Sequence, residues 1–177
     1  SDNVYLAGET DSPTGVASGG AQNTFGGGPG YLGDAFLVKF DAAGTRQWAT
    51  YYGGTGTENV WSAATDVSGN VYLAGYTTST ANIASGGHDN SFGGGGLEDA
   101  FLVKFSPAGA RLWATYYGGS SVDYGYGVAT DASGNVYLSG ITISTANIAS
   151  GGFQNSLTGS TQDAFLVKFN TAGVRQW

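Results

Sequence analysis

Three near-identical passages recur along this chain, and their period sets the terms for any fold it can adopt. NVYLAG at Asn3 and Asn70 returns as NVYLSG at Asn135, while DAFLVKF stands unchanged at Asp34, Asp99 and Asp163. WATYYGG begins at Trp48 and Trp113, and the chain stops on Trp177, where a third copy opens. The first motif recurs after 67 and 65 residues and the second after 65 and 64. A fixed period of this length points to a modular array whose units bury their apolar faces against neighbours.

Within a unit, apolar residues alternate instead of recurring every third or fourth position. In the second DAFLVKF, Phe101, Val103 and Phe105 fall on one face and Ala100, Leu102 and Lys104 on the other. WSAATD, VSGN and VYLAGYT read as two short strands about a tight turn built on Asp66, Ser68 and Gly69. A long stretch rich in Gly, Ser and Asn follows, then DAFLVKF, a turn through SPAGA and a fourth strand, RLWATYYGG. Helical periodicity is missing throughout.

The expected fold class is therefore all-β: tandem four-stranded antiparallel blades of a β-propeller, about three repeats, incomplete at both ends. The units divide as 1–60, which lacks its inner strand, 61–125, which is complete, and 126–177, which lacks most of its outer strand. Small residues precede each turn (Ser62, Ala63, Ala64; Gly125, Gly127, Ala129), as strands converging on an axis require. The outer strands carry the aromatics that fill the wedge between blades.

The chain begins inside a turn and ends one residue into a strand, as a window cut from a longer array would. Three blades do not close a ring, since propellers use about four to eight. Further repeats of the same chain or other copies of it are thus the expected partners, with an unpaired edge strand as a template for strand addition. All six basic residues, Lys39, Lys104, Lys168, Arg46, Arg111 and Arg175, flank equivalent turns. They are expected to guard the outer blade edge against unwanted pairing.

Composition narrows the function. A net charge of −7 argues against nucleic acid and anionic membranes, both of which attract basic patches. Cysteine is absent, so disulfides and thiolate chemistry are excluded. No stretch approaches the roughly 20 apolar residues of a membrane span. Charged residues make up only 11% of the chain, leaving a surface of Gly, Ser, Thr, Asn and Tyr that suits an exported protein.

Catalytic groupings are absent. His88 is the only histidine, and no nucleophile–base pair can be assembled around it. Glu98 and Asp99 are adjacent on a strand and so face opposite ways. GGGG from Gly93 lacks the Lys-Ser/Thr ending of a phosphate loop. No cofactor is expected, with calcium the one candidate: Asp66, Ser68 and Asn70, and likewise Asp131, Ser133 and Asn135, space oxygens at alternate positions. Those loops lack the later bidentate acid, Thr77 and Thr142 standing near its place, and a hairpin turn explains them equally. Candidate ligand-stacking aromatics are Trp61, Tyr76, Tyr124 and Tyr126, with Tyr31 beside them, whereas Tyr51, Tyr52, Tyr116 and Tyr117 recur in register and belong to the core.

DAFLVKF, WATYYGG, FQNS and YGYGVATDASGNVYLSG together resemble the SBBP family of bacterial β-propeller repeats, across essentially the whole chain. The resemblance implies secreted or cell-surface bacterial proteins built from many repeats, and it brings no catalytic motif. The connections GGGPGYLGD from Gly26 and GGGGLED from Gly93 depart from the family in their glycine content. The expected function is a non-enzymatic extracellular structural or adhesive protein, forming a rigid surface module or fibre by blade-to-blade packing. The alternative is a lectin-like propeller that binds glycans or another ligand.

Overall fold

A computed structural model describes residues 2–27, 33–157 and 161–177. Among them no helix forms, and ten strands make three antiparallel sheets. The first sheet is β1 (Val4–Thr10), β2 (Asp34–Phe40) and β3 (Arg46–Tyr52), in that order. The second is complete, in the order β4 (Glu58–Thr65), β5 (Val71–Thr77), β6 (Asp99–Phe105) and β7 (Arg111–Tyr117). The third holds β8 (Asp123–Thr130), β9 (Val136–Thr142) and β10 (Asp163–Phe169). β4 and β8 start at Glu58 and Asp123, so each sheet begins a few residues before the boundary suggested by the motifs.

The register repeats with the sequence. Val71 faces Phe105 and Thr77 faces Asp99, as Val4 faces Phe40 and Val136 faces Phe169 in the sister sheets. Alternation then gives each sheet two apolar faces, and the sheets stack through them. Trp48, Tyr52, Leu37 and Ala35 of the first sheet meet Val71, Leu73, Phe101, Val103 and Phe105 of the second. The opposite face of the second sheet, with Tyr72, Leu102, Trp113 and Tyr117, meets Val136, Leu138, Phe165, Val167 and Phe169 of the third. Tyr52 lies 5.1 Å from Phe101 between ring centroids, and Tyr117 lies 5.0 Å from Phe165. Such tilted aromatic pairs add to the area they bury.

Polar atoms of these side chains tie the same seams. The Trp48 indole N–H donates to the Pro107 carbonyl at 3.0 Å, and that of Trp113 to Thr171 at 3.1 Å. Lys39 donates to Pro107 at 2.9 Å and Lys104 to Thr171 at 3.3 Å, each ammonium also lying over a tyrosine ring, Tyr5 or Tyr72. This corrects the expectation that the basic residues guard an edge. Lys39 and Lys104 sit on central strands and clamp one sheet to the turn of the next. Arg46, Arg111 and Arg175 reach back to loop carbonyls of Val16, Asn82 and Asn147.

The outer strands of the first two sheets are not bare. The glycine-rich stretch after β5 returns along β7: Ser85 N–H donates to Ala114 O at 3.0 Å, and Ala114 N–H to Ser85 O at 2.9 Å. Ser18 and Ala49 exchange the same pair of bonds on β3. Gly87 permits the approach, since a Cβ there would stand 2.5 Å from the Ala114 carbonyl oxygen. β3 and β7 therefore carry a cover of their own chain and offer no open ladder for strand addition. On the inner side β4 and β8 draw together as their small residues allow, with Val128 N–H donating to Ser62 Oγ at 3.1 Å.

Candidate functional site

The aromatics singled out from sequence are scattered over 65 positions, and the fold gathers them. β4 and β8 each contain a bulge, because pairing with the next strand skips from Val60 to Ser62 and from Gly125 to Gly127. The skipped residues are Trp61 and Tyr126. A bulge takes its extra side chain out of the alternation and re-aims it. The two rings consequently stack across the inner strands, 4.6 Å apart and 26° from parallel. Tyr76 lies 5.1 Å and Tyr124 5.3 Å from Trp61, and 5.1 Å from each other. Trp61 and Tyr126 keep substantial exposure, while Tyr76 and Tyr124 are half-buried.

Carboxylates border this cluster. Burial raises the Tyr76 phenol above its ordinary range, and the charges of Glu9 and Glu98 raise it further. Burial and Glu98 act likewise on Tyr124. Glu9 accepts a hydrogen bond from the Asn59 side-chain amide. Aromatic faces flanked by carboxylate and amide groups can hold the C–H face of a sugar and bind its hydroxyls. Glu9 and Asn59 escaped the sequence reading, and Glu98 was weighed there only as a partner of Asp99; one signal existed, since Glu9 stands where the sister repeats place Tyr76 and Ile141. Tyr31 lies outside the described residues, as does part of the GGGPGYLGD connection. Tyr51, Tyr52, Tyr116 and Tyr117 are buried, as their register requires.

The calcium candidates are arranged as turn locks. Asp66 Oδ1 accepts the Ser68 and Asn70 N–H groups, both at 2.9 Å, and Oδ2 accepts the Asn70 side-chain amide and the Tyr72 hydroxyl. Asp131 repeats this with Ser133, Asn135 and Tyr137. Asn70 and Asn135 thus turn N–H donors, not oxygens, toward the carboxylate, and the Lys104 ammonium stands 3.6 Å from Asp66. These donors hold Asp66 and Asp131 ionised below the ordinary range, against the burial that raises Asp66. The oxygens a cation needs are already spent on closing the hairpin. Among the described residues no three acidic or histidine side chains gather. His88 is exposed, 6.2 Å from the Phe169 ring, with Arg175 and Asp89 as its charged neighbours.

A second acidic feature lies between sheets. Asp34 of β2 faces Glu58 of β4, and Asp99 of β6 faces Asp123 of β8, all four buried. A Cβ on Gly53 would touch both members of the first pair, and one on Gly118 both members of the second.

Comparison with known proteins agrees with this architecture. Residues 112–148, which run from the second sheet into the third, match the SBBP beta-propeller repeat, so the resemblance read from the motifs is shown over that stretch. An uncharacterized WD repeat-containing protein, L264 of Acanthamoeba polyphaga mimivirus, is 25% identical over 173 residues. That alignment takes in 81% of this chain and spans only 12% of the viral protein.

Proposed function

We propose that this chain is a non-enzymatic structural repeat module of the bacterial exterior, whose sheets stack as propeller blades and whose two open faces are completed by sheets of the same kind. One observation carries the reading: the contact those faces need is one the chain already makes twice. The open face of the first sheet bears Val4, Leu6, Phe36, Val38 and Phe40, counterparts of the residues by which the second sheet meets the first. The open face of the third bears Tyr137, Leu166, Lys168 and Trp177, counterparts of those by which the second meets the third. The two faces are complementary and different, so they join head to tail, giving a ring where the rotation closes and a filament where it does not. Two copies would supply a number of sheets within the range of about four to eight that propellers use. Cover over β3 and β7 favours stacking through faces there, while β1 and β10 stand at the ends of their sheets. Sparse charge and the SBBP resemblance support an external location.

Sedimentation of the 177-residue chain over a wide concentration range tests this. The parent is expected to associate, while Leu6→Lys and Leu166→Lys each stop growth. A mixture of the two variants, each with one intact face, is expected to form a capped dimer. A parent that stays monomeric throughout sinks the reading.

The convergence of Trp61, Tyr76, Tyr124 and Tyr126 favours a second role, glycan binding at the inner strands. Saturable binding on a glycan array, lost in Trp61→Ala with the fold retained, is the expected outcome.

A further inference from the structure

The seam between the second and third sheets buries two carboxylates with nothing to balance them. Asp99 Oδ2 accepts the Gly93 N–H at 2.8 Å, and Asp123 Oδ2 accepts the Gly119 N–H at 2.8 Å and the Ser144 hydroxyl at 2.7 Å. Oδ1 of each lacks a well-aligned hydrogen bond, the Gly94 N–H standing near Asp99, although both residues are essentially inaccessible to solvent. The Thr142 hydroxyl stands beside Asp123, but its geometric partners are the Ser144 N–H and carbonyl. Asp99 Oδ1 and Asp123 Oδ2 both lie 2.7 Å from the point where a Cβ on Gly118 would sit, so the glycine leaves the space between them free of side chain. The one ion pair among the described residues, Lys104 with Asp66, is at the far end of β6. Buried carboxylates without a counter-charge are costly, and two facing each other more so.

We infer that the Asp99–Asp123 seam binds a divalent cation of the calcium class. Two carboxylates match its charge, and the Thr142 hydroxyl supplies a further hard oxygen. Calcium tolerates an irregular oxygen shell completed by carbonyls and water, and no sulfur or imidazole ligand stands nearby to favour a softer metal. The equivalent seam between the first two sheets shows what distinguishes this one. Glu58 replaces the second aspartate there, and its longer side chain reaches the Thr77 hydroxyl and the Gly54 N–H, so both of its oxygens are engaged. Only Asp34 Oδ1 is left without a partner at that seam. The cation therefore belongs to the Asp99–Asp123 seam first.

The whole chain, stripped with EDTA, should be titrated with Ca²⁺ by calorimetry and with Tb³⁺ by luminescence sensitised through Tyr116 and Tyr117. One saturable site is expected, with Tm several degrees higher in Ca²⁺ than in EDTA. Asp99→Asn and Asp123→Asn should each weaken binding roughly tenfold or more. In EDTA, Asp123→Asn should be at least as stable as the parent, because it removes a like-charge pair, and this separates lost binding from lost folding. No saturable binding by the parent, with equal Tm in EDTA and Ca²⁺, overturns the inference and leaves a shared proton as the balance of charge. Binding abolished by Asp34→Asn but not by Asp99→Asn overturns the assignment. Each readout belongs to the single chain and stands whether or not copies associate.

Discussion

DAFLVKF occurs in three sheets with the same seven residues, and it is buried in three different ways. In the second sheet every residue is buried, Lys104 included. In the third, Leu166 is 58% exposed where Leu102 of the second is at 0%. The neighbouring strand tells the same story from the first sheet, where Val4 is 59% exposed and Val71 of the second is at 1%. Local sequence is constant, so the difference is owed to neighbours alone. The middle sheet has one on each face and each terminal sheet has one. Strand formation therefore belongs to the repeat, while the core belongs to the seam between repeats.

The largest test of this comparison is to make one cut at two copies. Leu102→Ala removes a side chain packed within the seam to the third sheet and should cost about 3 kcal/mol in urea unfolding. Leu166→Ala makes the same change on an open face and should cost less than about 0.5 kcal/mol in dilute solution. At concentrations where copies stack, the Leu166 penalty should climb toward that of Leu102. Equal costs in dilute solution would mean that the seam contributes nothing beyond the strand itself.

What could be read in advance divides along the same line. The period, the strands, the two faces of DAFLVKF and the burial of Tyr52 and Tyr117 were legible because each depends on residues close in sequence. The gathering of Trp61, Tyr76, Tyr124 and Tyr126 was half legible. Their departure from strict repetition marked them, but the bulges that bring them together are properties of pairing. The Lys39 clamp was not legible, since its acceptor is 68 residues away in the next unit. Nor was the cover over β7, because nothing local in Ser85 announces Ala114 as its partner. The buried acids were hidden for the same reason. Glu98 was expected on the strand beside Asp99 but lies just before β6, and Asp123 comes from another unit.

A smaller effect is expected at the turns. Gly44 and Gly109 hold equivalent positions with φ of 78° and 83°, a left-handed backbone that costs an L-residue about 1 kcal/mol. A Cβ on Gly44 would meet nothing, whereas one on Gly109 would come 2.8 Å from the Trp48 ring of the preceding sheet. Gly44→Ala should thus lower stability by about 1 kcal/mol and Gly109→Ala by roughly 2 kcal/mol, the excess being overpacking against the indole. Trp48 fluorescence should shift in Gly109→Ala only. If the two variants behaved alike, the turn would not be part of the seam.

A separate effect is on pH, and it compares the seam with the turn through their aspartates. Burial raises Asp99 from 3.8 to about 7 against the Gly93 and Gly94 N–H groups, with the charges of Asp123 and Asp89 adding to the rise. Burial, with the charges of Glu58, Asp99 and Asp89, raises Tyr116 as well. The folded seam therefore holds a proton more tightly than the unfolded chain does. In EDTA, its contribution to stability should be complete below about pH 4 and should decline as pH rises toward 7, levelling beyond. Asp66 is lowered instead, so its contribution should be present above about pH 4 and fade as acid protonates it. Calcium should flatten the decline near neutrality and leave the acid limb in place, because the turn carboxylate is already saturated with donors. Asp99→Asn should shrink the neutral limb, to which the raised Asp34, Glu58 and Asp123 also contribute, and leave the acid limb in place; urea midpoints measured from pH 3 to pH 8 would read both limbs in one experiment.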